Sequence, residues 1–228
     1  MAKSAQQFDL LEYLASHARD QHADQNGDLR IPPLNDLSKE YGIGIASLRE
    51  QLGVARALGV VEVRPRTGIR HLPYSFAPAV RESLSYALHL DRKNFEYFSD
   101  LRKHIEADYW DAAVRQLTSA DKEFLSKLIE QAWEKLENDP VRLPHKEHRQ
   151  LHLTIYKHLE NPFVMGILES YWDAYEEVGL NRYEDLKYLK GVWEYHRNIV
   201  NAICENDFAS GYSLLLEHMD LIGHRYIK

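Results

Sequence analysis

Cysteine is almost absent from this sequence. The single Cys204 in 228 residues excludes an intramolecular disulfide and any zinc site built on paired cysteines. A metal in this chain would have to be held by histidine and carboxylate. Long apolar runs are absent too. No stretch approaches the ~18–20 residues of a membrane span. The start, MAKSAQQFDLLEYLAS, has no charged segment followed by an apolar signal core. A cytoplasmic location is the expectation. An excess of basic charge is also missing: 28 Lys and Arg face 35 Asp and Glu, for a net charge of −7. That balance argues against a uniformly basic nucleic-acid binder. No internal repeat and no low-complexity segment interrupts the chain. What remains is an ordinary globular composition, 44% apolar and 28% charged, with length for one large domain or two small ones.

The charge is unevenly placed. Residues 1–75 carry 9 Lys and Arg against 9 Asp and Glu, so the negative excess lies after residue 75. Within 49–70, Arg49, Arg56, Arg64, Arg66 and Arg70 stand against only Glu50 and Glu62, net +3. A locally basic element on an acidic body can bind DNA while the body stays off the phosphates.

Hydrophobic spacing predicts a first helix over roughly 5–20, with Phe8, Leu11, Ala15 and Ala18 in register. DQHADQNGD (20–28) reads as a loop. Pro32 and Pro33 open a short helix at about 34–41, GIG (42–44) turns, and a second helix follows at about 45–58. Two short helices joined by a glycine-containing three-residue turn are a helix-turn-helix signal. VVEVRPRTGIRHL (60–72) then changes period: Val61 and Val63 alternate with charge, PRTG supplies the turn, and Ile69 and Leu72 return. This predicts a two-stranded wing. The outward residues at the start of the second helix, Ala46, Ser47, Arg49 and Glu50, are placed to face a major groove. Arg64, Arg66, Thr67 and Gly68 suit the wing. Taken singly, such arginines are better explained as solvated surface; the whole unit of helix, turn, helix and arginine-rich hairpin favours DNA binding.

After PYSFAP (73–78), which marks a boundary, everything reads as helix. Seven are expected: about 79–90, 93–115, 119–138, 144–159, 162–177, 183–206 and 208–226. The prediction is a mostly α protein. It has a winged helix-turn-helix domain over 1–74 and an antiparallel seven-helix bundle over 79–228.

Histidine is concentrated in HKEHRQLHLTIYKH (145–158), which holds four of the chain's twelve. His148 and His152 share a helix face at i,i+4. His196, ahead of Ile199, Val200 and Ile203, and His218, after Leu214 and Leu215, lie on inward-facing stripes of two later helices. Four histidines from three helices could converge on a divalent metal, which binds neutral imidazole. On spacing alone, hydrogen-bonded core histidines are the better account. His145, near the helix start, and His158, six beyond His152, are expected at the surface.

The chain resembles the GntR superfamily of bacterial transcription regulators, in its FadR-like branch with a metal-binding FCD-type ligand-binding domain. In the first part the resemblance rests on PPLNDLSKEYGIGIASLREQL and RPRTGIRHL. In the second it rests on LRKHIE (101–106), HRQLH (148–152) with ENP (160–162), EYHRNIVNAICENDFASGY (194–212) and LLEHM (215–219). It implies a homodimer on double-stranded operator DNA, answering to a small carboxylate effector. The helix at 79–90 matches the seven-helix type. The chain departs from the pattern at three places. Gly44-Ile45 replaces the usual Ser/Thr-Arg at the start of the recognition helix. Asn35, kept among the DNA-facing candidates, stands where an arginine is common. The metal-binding members carry Asp, His, His and His at the positions of His148, His152, His196 and His218, so His148 replaces a carboxylate. Imidazole there favours Zn²⁺ or Ni²⁺ over Mn²⁺. Arg102, in LRKHIE, resembles an arginine that faces the family's pocket and is the effector-binding candidate; its alternative is a surface pair with Glu106. Two other functions compete with regulation. A metalloenzyme is one, although HKEHRQLH matches neither HExxH nor HxxEH, so Glu147 has no motif support as a base. An interaction module with weakened DNA binding is the other.

Overall fold

The computed structural model describes residues 8–20, 30–65, 68–179 and 185–223. It divides into two compact units, residues 1–82 and 83–228.

In the first unit α1 (Leu10–Asp20) starts where Asp9 caps it, its Oδ1 accepting from the amides of Leu11 and Glu12 at 2.7 and 3.2 Å. The expected beginning near residue 5 lies outside the described residues. The Leu10 amide donates to Gln51 Oε1 at 2.7 Å, tying α1 to the later helix that carries Gln51. α2 (Leu34–Tyr41) follows the two prolines and ends at Gly42, which sits at φ 66°, ψ 29°. This left-handed conformation costs little only for glycine. The Ile43 amide returns to the Ser38 carbonyl at 3.2 Å, and the Ser38 hydroxyl donates to the Ile43 carbonyl at 2.6 Å. Those bonds fix the angle between α2 and α3 (Ile45–Ala57).

The wing is β2 (Val61–Arg64) paired antiparallel with β3 (Gly68–His71), with Val63 opposite Ile69. A third strand, β1 (Arg30–Ile31), pairs with the other edge of β3, Ile31 opposite Ile69. The sequence shows no sign of β1, because two residues carry no alternation. Pairing with β3 and burial of Ile31 make it a strand. Leu10, Leu14, Leu37, Leu48, Val61 and Ile69 close this unit's core.

The remaining helices are α4 (Ala77–Leu90), α5 (Asn94–Val114), α6 (Ser119–Glu137), α7 (His145–Tyr156), α8 (Pro162–Glu177), α9 (Leu186–Glu205) and α10 (Phe208–Gly223). The cut between units falls inside α4, after Glu82. α4 begins two residues earlier than expected. Pro78 sits in its first turn, where a missing amide hydrogen breaks no helical bond. α9 and α10 are joined by Asn206 and Asp207 alone, so they run antiparallel. Asn206 takes the left-handed conformation at φ 59°. α9 packs on α10 and α6, and α7 packs on α5, α6 and α8. Leu125, Leu151, Ile155, Trp193, Ile203 and Leu215 lie in the core between them.

α6 starts with a reciprocal capping box between Thr118 and Asp121. Asp121 also binds Lys157 and, at 2.7 Å, His158 Nε2. His158 is therefore not the free surface residue expected; it ties the segment after α7 to the start of α6. Burial alone would raise the Asp121 carboxyl. Bonds from Lys157, Thr118 and His158 outweigh burial and hold it well below the usual carboxylate range. A depressed folded-state pKa stabilises above the unfolded value and is lost as pH falls. Urea unfolding should show Asp121→Asn less stable than wild type at pH 7, with the gap closing as pH drops below ~4. Thr118→Ala should cost about 1 kcal/mol in the same assay.

Candidate metal centre

The inward stripe of α7 contains His148, Leu151, His152 and Ile155; that of α9 contains Trp193, His196, Ile199 and Ile203; that of α10 contains Leu215, His218 and Met219. Each histidine is thus carried inward by apolar neighbours on the same stripe. All four are buried, His196 and His218 completely. One ring nitrogen from each lies within 4.8 Å of the others. His152 Nε2 and His196 Nε2 are 3.2 Å apart. Two nitrogens bound to one ion at ~2.0–2.1 Å stand roughly 2.9–3.3 Å apart between octahedral and tetrahedral angles, so this pair already has ligand spacing.

His148 Nε2, His196 Nδ1 and both nitrogens of His218 are buried without a hydrogen-bond partner. Orphaned polar atoms at such density are costly in a protein interior. A metal ion resolves the cost by taking one lone pair from each ring, so the residues present fit a divalent ion. Burial first, then repulsion among the imidazoles and from Arg102, pushes His148 and His196 well below the ordinary histidine range. His218 moves the same way, with Glu106 opposing. Burial lowers His152 too, against the pull of Glu106. Neutral imidazole is the form that ligates.

Arg102 and Glu106, one turn apart on α5, make a forked pair: Nε to Oε1 and Nη2 to Oε2, each 2.9 Å. The pair is buried, not the surface pair considered from sequence. Arg102 is 3% exposed and Glu106 0%. Burial would raise the Glu106 carboxyl; Arg102 and His152 override it and bring it down to about 2. His152 Nδ1 is 3.3 Å from Glu106 Oε2 and 3.0 Å from Arg102 Nη2. A metal on Nε2 would leave the ring proton on Nδ1, where the carboxylate accepts it and fixes the ring. This role for Glu106 escaped the sequence reading. Its signal was the i,i+4 spacing from Arg102 on a helix whose Trp110 and Val114 are core residues. Arg102 also lies over the Tyr171 ring, 4.5 Å from its centroid, and 5.3 Å from that of Trp172. His145, at the first position of α7, is half-buried and outside the four-residue group.

Of the DNA-facing candidates, Asn35 in the first turn of α2 and Ala46 and Arg49 on α3 are exposed. Ser47 is half-buried, and its hydroxyl accepts from Gln51 Nε2 at 3.4 Å. Arg64 is exposed and paired with Glu62 at 3.0 Å. Gly68 is exposed at φ 85°, with open space where a Cβ would point. Arg66 and Thr67 lie outside the described residues.

A three-stranded winged helix-turn-helix unit, in a chain with an all-helical unit built round buried histidines, defines a class: a DNA-binding regulator with a second, helical domain. Residues 98–221, just over half the chain, match the FCD domain. The chain belongs to the FCD-domain family of GntR-type transcription regulators, a family of DNA-binding proteins and not of enzymes. It is 22% identical over 207 residues to the HTH-type transcriptional regulator LutR of Bacillus subtilis (strain 168), covering 86% of this chain and 92% of that one. Its fold is similar to that of Streptococcus agalactiae GntR, with a TM-score of 0.67 at 18% identity over 95% of this chain and 96% of the other. E. coli McbR/YncC shares the fold at a TM-score of 0.51 and 18% identity, over 86% and 87% of the two chains.

Metal affinity, measured by competition with a chromophoric chelator, should fall roughly 10–100-fold in Glu106→Gln. An unchanged affinity would show that the carboxylate does not orient His152.

Proposed function

We propose that this protein is a cytoplasmic homodimer that binds a pseudo-palindromic operator and changes its DNA affinity when a small organic acid binds at a metal site. His148, His152, His196 and His218 hold the metal. The DNA-binding domain is residues 1–74, and residues 79–228 form the effector- and metal-binding domain. The observation that carries the reading is the convergence of four buried imidazoles within 4.8 Å. An all-imidazole set, with His148 in place of the aspartate of the metal-binding relatives, favours Zn²⁺, with Ni²⁺ as the second fit. An ion that expands beyond four ligands can take a carboxylate oxygen alongside the four imidazoles. The bound ion would supply Lewis-acid attraction for that oxygen, and Arg102, held by Glu106, would offer it an N–H from those the pair leaves over.

On the DNA side, α3 enters the major groove with Arg49 exposed near its start, and the wing tip around Gly68 meets the backbone. A two-fold dimer presents two such helices to two half-sites. Effector binding needs to shift the equilibrium by only ~1–3 kcal/mol to change occupancy several-fold. Among the described residues no helix is long and apolar enough to cross a membrane, which fits a protein that meets DNA directly.

An electrophoretic shift assay on the DNA upstream of the protein's own coding sequence tests the reading. Wild type should give a specific shift that changes on chelation. Arg49→Ala should weaken it at least ~5-fold, as loss of a bidentate base or phosphate contact does. Absence of a specific shift under every condition, or Arg49→Ala behaving like wild type, would sink the DNA-binding assignment.

A further inference from the structure

The metal cluster sits among few charges. Among the described residues, the buried charged side chains are Arg102, Glu106, Asp121 and Glu147. Asp121 is taken by Lys157 and His158. Glu147 is taken by Lys135 at 2.7 Å. Only Arg102 and Glu106 adjoin the histidines, and they cancel each other in their forked pair. Imidazoles ligate in the neutral form. A divalent ion would therefore enter a buried site whose protein groups sum to zero, leaving two positive charges unbalanced. Burying unbalanced charge is among the most costly things a protein interior can do.

A second observation concerns donors. Trp172 Nε1 is buried and has no hydrogen-bond partner. Its ring centroid lies 4.6 Å from that of His148 and 5.2 Å from that of His152. An indole N–H donates and never accepts, so only an acceptor can satisfy it. Both nitrogens of His218 also lack partners. Once one is on a metal, the other carries a proton and needs an acceptor as well. Glu106 takes two of the five N–H groups of Arg102, whose guanidinium lies 5.3 Å from the same indole. The surroundings of the cluster thus want negative charge and acceptor oxygens together.

We infer that the metal binds here as a neutral pair with a dicarboxylate, one carboxylate on the ion and the other accepting from Trp172 Nε1 and its neighbours. The inference rests on the metal reading above and adds to it the charge of the ligand. A monocarboxylate or a hydroxide would supply only half the charge required.

The full-length protein, stripped by chelation and dialysis, would be titrated with Zn²⁺ at buffered free concentrations. Tryptophan fluorescence would be the readout, with no added acid or with equal concentrations of acetate, malonate or succinate. The better dicarboxylate should tighten Zn²⁺ binding at least tenfold more than acetate does. The same dicarboxylate should bind tighter in the presence of Zn²⁺ by the same factor, as linkage requires. His148→Asp supplies one negative charge from the protein and should lower the ratio of dicarboxylate to acetate enhancement. Trp172→Phe keeps a ring and removes the donor, and should lower it too. Equal tightening by acetate and both dicarboxylates overturns the inference, and that wild-type comparison decides even if a variant fails to fold. A wild-type ratio in a folded His148→Asp protein overturns it as well. Failure of Zn²⁺ to bind at all, with or without acid, is a different result: it removes the metal reading itself.

Discussion

Four imidazoles buried at one point are the constraint around which the helical unit is arranged. Each ring brings two nitrogens into a buried region, and hydrogen bonds within the protein satisfy only some of them. Such a cluster can persist only if surrounding packing outweighs its cost, or if a bound species relieves it. The packing is there. Each histidine is flanked on its own helix by fully buried aliphatic or aromatic residues: Leu151 and Ile155, Trp193 and Ile199, Leu215. A cation would provide the relief, since ring nitrogens gathered within 4.8 Å of one another can each give it a lone pair. The four residues of the cluster that could hold a metal offer ring nitrogens alone.

The same region shows how a buried charge is made tolerable. Arg102 and Glu106 satisfy each other twice, Tyr156 donates to the Glu106 carbonyl at 2.9 Å, and aromatic faces cover the guanidinium. A buried pair of this kind adds little net stability compared with apolar packing. Its value is positional. It holds a carboxylate beside His152 with one orientation, and a histidine whose second nitrogen is fixed presents its first in a fixed direction.

Much of this was legible in the sequence, and the parts that were not share a cause. Helix registers follow from apolar spacing, so the inward placement of His148, His152, His196 and His218 could be read residue by residue. The helix-turn-helix followed from GIG between two amphipathic segments, because Gly42 is a backbone requirement that a single residue type announces. β1 could not be read, since it exists only through pairing with β3. The burial of Arg102 and Glu106 could not be read either, because an i,i+4 arginine–glutamate pair looks the same on a surface as in a core. Nor could the bond between His158 and Asp121, 37 residues apart. In each case the deciding information is a contact between distant segments, which spacing along one helix does not encode.

The winged unit poses the opposite problem to the helical one, since its candidate residues face outward and their chemistry stays open until a partner arrives. α3 starts at Gly44 with no side-chain cap on its first amides. Ser47, the nearest hydroxyl, is engaged with Gln51 inside the unit. Arg64 is held by Glu62, which also lies 3.6 Å from Arg70. An exposed pair of that sort is weak and easily exchanged for a phosphate. Glu62 therefore offsets one charge of a wing that stays net basic, and it can give up its arginines at short range. Arg49 is the one arginine in the first half of α3, and it is exposed. In a chain of net charge −7, confining the basic charge to this small element is the distribution under which phosphate attraction acts on the wing and not on the acidic remainder.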